Sequence, residues 1–328
     1  MVFVWIFLVL LGLYVIASAV FAVLGIRYGF LRTLHTEYFS NTGTSARHPF
    51  RERIERDALA VSDLLHEDRY LTSFDGLRLH AALFRTAYAK GLIVCVHGFH
   101  SRADKDFAPL VPFYLEQGYH VLLVDQRAHM ESEGWYAAYG VLERNDLRDW
   151  IADCAAQFGS TFPIWLHGES MGAATCMSVA DLPLMGNVRG IIEDSGFDTP
   201  SNEVRYTFCK NFRFPPYPGV WFVALFCRLR LRMPLYGVSA KRALQRTRIP
   251  CLFIHGDADD IVPLFSGVSA YAACASDKEL WVVPKTGHCA AYYTAEAEYR
   301  SRLLAFLNRT RPAGSALSTE RKPTLPTS

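Results

Sequence analysis

Gly168-Glu169-Ser170-Met171-Gly172 sets a serine between two glycines at a spacing that chemistry can use. The G-x-S-x-G pattern follows the apolar run Ile164-Trp165-Leu166 and precedes Ala173-Ala174-Thr175, small residues that suit a helix. A serine on a sharp strand-to-helix turn is the setting of a nucleophile elbow. Such a turn strains the serine backbone, so Gly168 and Gly172 must lack side chains that would collide with neighbouring main chain. The helix that follows directs its N–H groups at the reacting centre. A serine hydroxyl is a weak nucleophile without a base. Of eleven histidines, His288 stands out, in Lys285-Thr286-Gly287-His288 just after the last apolar run. The histidine in turn needs a carboxylate to fix its tautomer and to stabilise the imidazolium. Asp257, Asp259 and Asp260 follow His255-Gly256, and Asp194 offers a fourth candidate.

These residues need a frame. Short apolar runs recur at 92–96, 121–124, 164–166, 188–192, 251–254 and 280–283. Each reads as a strand buried on both faces, and most are separated by enough chain for a crossover helix. That alternation predicts a mostly parallel sheet covered by helices. Serine, acid and histidine then each follow the C-terminal end of a predicted strand, in the order Ser…Asp…His. Residues 70–84 alternate polar and apolar around Asp75-Gly76 and predict a β-hairpin. Residues 49–65 have helical character and carry no assigned chemistry. A long aromatic- and proline-rich stretch, 198–248, breaks the alternation and predicts an inserted cap, and a last helix is expected at 294–307.

With these motifs in place, the chain resembles the α/β-hydrolase superfamily over about residues 70–307. The pattern H-G-x-x-D-x-x-V-P, here His255 to Pro263, is typical of the serine aminopeptidase and prolyl-oligopeptidase-like branches. There the aspartate four residues after the histidine is the triad acid, which implies Asp259 as partner of His288 and Ser170. The resemblance implies an α/β-hydrolase fold with a mostly parallel central sheet, flanking helices and an inserted helical cap. His97-Gly98-Phe99 looks like the family's H-G-[FW] turn. It implies an oxyanion hole made of the backbone N–H groups of Phe99 and Met171, with His97 structural. Residues 125–134 resemble a D-x-R-x-H-G-x-S segment in which Met130 replaces the usual glycine, so the loop is expected to differ in shape there. The chain is also similar to bacterial single-pass membrane-anchored hydrolases, which share an N-terminal anchor, a segment like Glu279-Leu280-Trp281-Val282-Val283-Pro284 and an aromatic cap.

The resemblance implies hydrolysis of an ester, thioester or amide through an acyl-enzyme, with a small-molecule acyl substrate that lipophilic esters or lipids would fit. It implies no metal and no organic cofactor. Peptidase action is an alternative, with Glu143, Asp146 and Glu193 as conceivable partners of a peptide amine. Acyl transfer uses the same machinery. A non-catalytic binding protein on the same fold is the alternative of a different class, and the complete triad argues against it.

Residues 2–26 run without a charge. At 1.5 Å per residue the run is about 37 Å long, enough for a hydrocarbon core of about 30 Å. Ala17-Ser18-Ala19 matches a signal-peptidase site, yet no basic segment precedes the run and the apolar stretch continues beyond it. A retained single-pass anchor is therefore expected at 1–26. A juxtamembrane segment follows at 27–68, then a catalytic domain at 69–308 and a disordered tail at 309–328. Arg27 and Arg32 follow the anchor and no basic side chain precedes it, which places the domain in the cytoplasm and the protein in the cell membrane. Eight scattered cysteines without a CxxC pair read as reduced thiols. A net charge of +2, from 34 basic and 32 acidic residues, gives no reason to expect nucleic-acid binding. The cap aromatics Phe208, Phe212, Phe214, Tyr217, Trp221, Phe222 and Phe226, with Arg228, Arg230 and Arg232 after them, read as packing that lines a pocket or as a membrane-facing lid.

Overall fold

The computed structural model describes residues 1–32 and 46–312, together with the backbone of 318–319. The chain opens with α1 (Val2–Gly29), long and apolar enough to cross a membrane by length and composition. Residues 33–45 of the expected juxtamembrane segment lie outside the described residues. The charged stretch beyond them forms α2 (Arg51–Ser62), entered through a short turn at His48–Phe50.

Eight strands make one sheet. β1 (Glu67–Thr72) and β2 (Arg78–Phe84) form the expected hairpin, with Gly76 at φ +89° in its turn. The six apolar runs become β3 (Leu92–Val96), β4 (His120–Val124), β5 (Pro163–Glu169), β6 (Asn187–Asp194), β7 (Cys251–Gly256) and β8 (Lys278–Val283). Their order is β1-β2-β4-β3-β5-β6-β7-β8. β2 runs antiparallel to both its neighbours and every other pair is parallel.

Both faces of the sheet are covered, which is why the strands read as unbroken apolar runs. Ile93 and Cys95 of β3 face α2, α3 (Leu110–Glu116) and the last long helix, Glu296–Thr310. Leu92, Val94 and Val96 face α4 (Glu143–Phe158) and α5 (Met171–Val179). Trp165 and Trp150 are fully buried on opposite sides. Each large side chain so buried contributes about 1.5–3 kcal/mol.

Between β6 and β7 the chain leaves the sheet to build the cap: α6 (Pro200–Phe212), α7 (Gly219–Arg230) and α8 (Ala240–Leu244). Thr199 caps α6 by accepting from the Asn202 N–H, and Pro200 occupies the first turn, where its missing N–H costs nothing. From Tyr14 onward one face of α1 packs on this cap. Tyr14 stacks on Phe214 at 5.2 Å, and Phe21 lies 4.9 Å from Phe212. Ser18, Ala22 and Ile26 are buried. The cap aromatics therefore pack partly on α1 rather than only on the catalytic body.

The remaining helices longer than one turn are α9 (Leu264–Ala273), between β7 and β8, and α10 (Glu296–Thr310). α10 continues past the expected end at residue 307. Thr310 is buried and its hydroxyl accepts from the indole N–H of Trp165 at 2.8 Å, so Arg309 and Thr310 belong to the folded domain rather than to the tail. Beyond residue 312 that tail lies outside the described residues, apart from the backbone of Ser318–Thr319, which pairs antiparallel with Tyr88–Ala89.

Candidate active site

Ser170 stands at the junction of β5 and α5. Its φ of +54° is the strained, left-handed conformation the motif implies. Strand, turn and helix crowd together there. A methyl group on Gly172 would overlap the Val96 carbonyl, and one on Gly168 would overlap the Gly172 carbonyl. These two glycines are what let the turn lie against β3. Met171 is the first residue of α5, where a backbone N–H has no carbonyl one turn behind it.

The structure brings Ser170, His288 and Asp259 into one hydrogen-bonded chain. The Asp259 carboxylate can only accept, so His288 Nδ1–H donates to Asp259 Oδ2 at 2.7 Å. Nε2 is then left to accept from the Ser170 hydroxyl, 2.9 Å away. Asp259 is buried, and its other oxygen accepts from the N–H groups of Ile261 and Val262, both at 2.9 Å. Burial alone would push the Asp259 carboxyl up. The charge and hydrogen bond of His288 outweigh it and hold the acid below its usual range. For His288 burial works downward, and Asp259 more than compensates, leaving the imidazole above its ordinary value.

The other carboxylates go elsewhere. Asp260 pairs with Lys210 at 2.9 Å on the surface, and Asp257 is exposed. Asp194 accepts from Tyr299 and Ser195, both at 2.9 Å. None of the three amine-partner candidates lines the pocket. Glu143 accepts from the Ala138 and Gly140 N–H groups, Asp146 from Arg127, and Glu193 from Gly196 N–H.

The turn after β3 lies against the serine: a methyl on Gly98 would sit 3.4 Å from Ser170 Cβ. Phe99 follows and lines the same pocket. His97 is buried, donating through Nδ1 to the Gly98 carbonyl at 2.7 Å and accepting from Gln126 N–H at 3.0 Å. Met130, in the position where the resembling segment has glycine, adopts φ +42°, and its carbonyl accepts from Arg32 at 2.6 Å.

Two pocket residues escape a reading of local motifs. Arg47, from the expected juxtamembrane segment, reaches into the site. Its guanidinium donates to Asp106 at 2.8 Å, to the Cys289 carbonyl at 2.7 Å, and to Glu169 beside the serine. Asp106 in turn accepts from Gly98 N–H at 2.9 Å. One arginine thus ties together the serine turn, the histidine loop and the Gly98-Phe99 turn. Burial drives Glu169 well above the usual carboxylate range against the pull of Arg47, whereas in Asp106 Arg47 and the Gly98 N–H overcome burial and lower it. Glu203, on α6, is the second. It is buried, and burial pushes its carboxyl up to about 7. No local motif marks either residue.

The site opens into a pocket of about 500 Å³, a size suited to a small molecule. Ser170, His288, Arg47 and Glu169 lie at its polar end. Most of the remaining surface is apolar and aromatic, with Phe99, Tyr139 and Phe197 from the body, Phe208 and Val223 from the cap, and Leu24 from α1, while Glu203, Thr207 and Asn211 add polar groups from α6.

Comparison with known proteins places this geometry. Residues 93–300 match the Alpha/beta hydrolase family. The chain is 28% identical over 195 residues to the uncharacterized protein YqkD of Bacillus subtilis; that alignment spans 60% of this chain and 64% of the Bacillus protein, less than two thirds of its length. It is 24% identical over 249 residues to the uncharacterized protein YfhR of Escherichia coli K12, covering 72% and 78% of the two chains. Among solved structures, the Pyrococcus furiosus esterase Pf2001 superposes with a TM-score of 0.62 at 23% identity, over 77% of this chain and 94% of that one. The Exiguobacterium antarcticum esterase EaEST superposes with a TM-score of 0.55 at 17% identity, over 74% and 100%. The family match spans most of the sheet and every strand end that carries a site residue, and the chain belongs to the alpha/beta hydrolase family.

Proposed function

We propose that this protein is a membrane-anchored serine hydrolase that cleaves a carboxylic ester, thioester or amide, with a lipophilic acyl ester as the favoured substrate. The observation that carries the reading is the continuous chain from Asp259 through His288 to Ser170 at the mouth of a largely apolar pocket. Ser170 attacks the carbonyl carbon while His288 Nε2 takes its proton. Asp259 holds the imidazole in the required tautomer and balances the imidazolium. The N–H groups of Phe99 and Met171 stabilise the tetrahedral oxyanion, each donor contributing about 10²–10³ in rate. His288 returns the proton to the leaving group, and water deacylates the enzyme by the same steps in reverse.

The anchor reading rests on α1. Cleavage after Ala19 would remove Tyr14 and Ser18 from their places against the cap, so the packing of α1 favours its retention. Peptide hydrolysis is the second reading, and Glu203 favours it, because a pocket carboxyl can receive a substrate amine. On that reading Glu203→Gln raises KM for aminoacyl amides at least tenfold. On the favoured reading long-chain esters are cleaved and aminoacyl amides are not.

The test is fluorophosphonate labelling of the detergent-solubilised protein beside Ser170→Ala. Labelling of the wild type alone is expected. Absence of labelling in a folded wild type would withdraw the hydrolase reading.

A further inference from the structure

The part of α1 that stands clear of the body is too short to cross a bilayer. Every residue from Met1 to Leu13 is exposed, and cap contacts begin at Tyr14. Twelve helical residues, Val2 to Leu13, span about 18 Å at 1.5 Å each, against a hydrocarbon thickness of about 30 Å. The missing 12 Å or so is about eight more residues, from Tyr14 to Phe21. That stretch is the one packed on the cap: Tyr14 donates to the Tyr217 carbonyl, Phe21 packs among Phe208, Phe212 and Phe214, and Gly219 lies close to the Ser18 carbonyl. If α1 spans, these cap residues enter the hydrocarbon with it.

α7 has the surface for that position. It runs parallel to α1: Tyr14 is next to Tyr217 just before α7 begins, and Tyr136 ties the far ends together by pairing with Leu31 and donating to the Leu231 carbonyl. On the outward side of α7, Trp221, Leu225 and Leu229 are 60%, 53% and 68% exposed, at i, i+4 and i+8. They form one apolar stripe alongside the exposed face of α1. Both helices end in arginine, Arg27 on α1 and Arg228 and Arg230 on α7, as expected where helices meet phosphates. Arg213 adjoins Phe212, which is level with Phe21 and Gly25, so its side chain is within snorkelling range of the same phosphates.

The last turns of α1 are also a wall of the pocket. Leu24, Gly25, Tyr28 and Gly29 line the cavity that contains Ser170, opposite Phe208 and Phe212 of α6. These residues bracket Arg27. The serine therefore lies at the boundary between headgroups and hydrocarbon, the depth at which the carboxyl esters of a glycerolipid lie.

We propose that α7 lies in the bilayer beside α1, and that the pocket takes the acyl chain of a membrane glycerolipid against the α1 wall at Gly25, its carboxyl ester presented to Ser170. The acyl-chain site rests on the hydrolase reading above; the placement of α7 does not. In the acyl transfer step the Ser170 oxygen bonds to the acyl carbon, the bond to the glycerol oxygen breaks, and His288 passes the serine proton to that oxygen. Water then releases the fatty acid.

Two measurements on the full chain test this. The first places nitroxides at Leu225→Cys and, as an aqueous reference, at Arg246→Cys, in a Cys209→Ser background, the other cysteines being buried. In phosphatidylcholine vesicles, the ratio of collisions with oxygen to collisions with a soluble nickel chelate is expected to be at least fivefold higher at 225 than at 246. Equal ratios, in proteins whose melting matches the wild type, would overturn the placement of α7. The second compares Gly25→Phe with wild type on p-nitrophenyl butyrate and dodecanoate. A methyl group at Gly25 meets only the edge of Phe212 at 3.9 Å, and Gly25 lines the cavity, which gives a larger side chain room to extend. The dodecanoate-to-butyrate ratio of kcat/KM is expected to fall at least tenfold, and an unchanged ratio would remove α1 from the acyl site. Failure of wild-type Ser170 to take a fluorophosphonate would instead strike at the hydrolase reading and leave the nitroxide result standing.

Discussion

His288 is set between charges of both signs, and its protonation should report each of them. Asp259 raises its pKa, Arg47 lowers it, and Glu203 raises it. Only the neutral imidazole can accept the serine proton, so kcat/KM should rise with pH through the His288 titration. Removing a nearby positive charge favours the imidazolium. Arg47→Met is therefore expected to move the acid limb of the profile to higher pH, whereas Arg47→Lys keeps the charge and leaves the limb near its original place. A merely structural arginine would lower activity without moving the limb. Arg47→Met also breaks the part-buried ion pair with Asp106 and the hydrogen bond to Glu169, which costs up to about 3–5 kcal/mol, and thermal melting should show it. Glu203→Gln removes a negative charge and should move the limb the other way. Its shift should be smaller, because Glu203, pushed up to about 7, already holds its proton over much of the acid range. Asp259→Asn leaves the pocket its shape but lets the imidazole take the wrong tautomer, with an expected loss of about 10⁴ in kcat.

At the scale of elements, the sheet and the turns at its ends were legible because each depends on near neighbours in sequence. Doubly buried strands demand unbroken apolar runs, and the serine turn demands Gly168 and Gly172 at fixed offsets. The cap was legible only as an interruption, since fifty residues rich in proline and aromatics show where the sheet pattern stops but not which surface the helices pack on. Arg47 was not legible at all. Its partners Asp106, Glu169 and Cys289 lie 59 to 242 residues away, and a charged residue close to Arg51, Arg53 and Arg56 carries no sign that it turns inward. The extent of α10 has the same cause: Arg309-Thr310 looks like a polar tail until Thr310 meets Trp165 on the face of the sheet that α10 covers. Thr310→Val keeps the volume and removes the acceptor, leaving the buried indole N–H unpaired. The expected destabilisation is about 1–3 kcal/mol, read as a lower denaturation midpoint, and an unchanged midpoint would show that the last turn of α10 adds nothing to the domain.

For the molecule as a whole, the parallel course of α1 and α7 turns separate charges into one ring. Arg27 and Arg32 lie at and just after the end of α1, and Arg228, Arg230 and Arg232 lie at and just after the end of α7 on the same side. Short-loop arginines resist translocation, so the anchored reading proposed above predicts a body held on the cytoplasmic side. The eight cysteines are all free thiols, seven of them buried. A C-terminal green fluorescent protein fusion is thus expected to fluoresce, and the matching alkaline phosphatase fusion to be inactive. Charge placement can be tested directly. Arg32 is unsuitable for substitution, because it donates to the Met130 and Ser132 carbonyls and holds the loop behind the site. Arg27 has an exposed side chain at the end of α1 and is the better choice. Arg27→Gln combined with three lysines inserted after Met1 reverses the local bias, and the phosphatase fusion should then gain activity while fluorescence falls. A wild-type chain that already activates the phosphatase would reverse the assignment of sides. It would leave the depth of the cap unaltered, since that depends on the length of α1 and not on its direction.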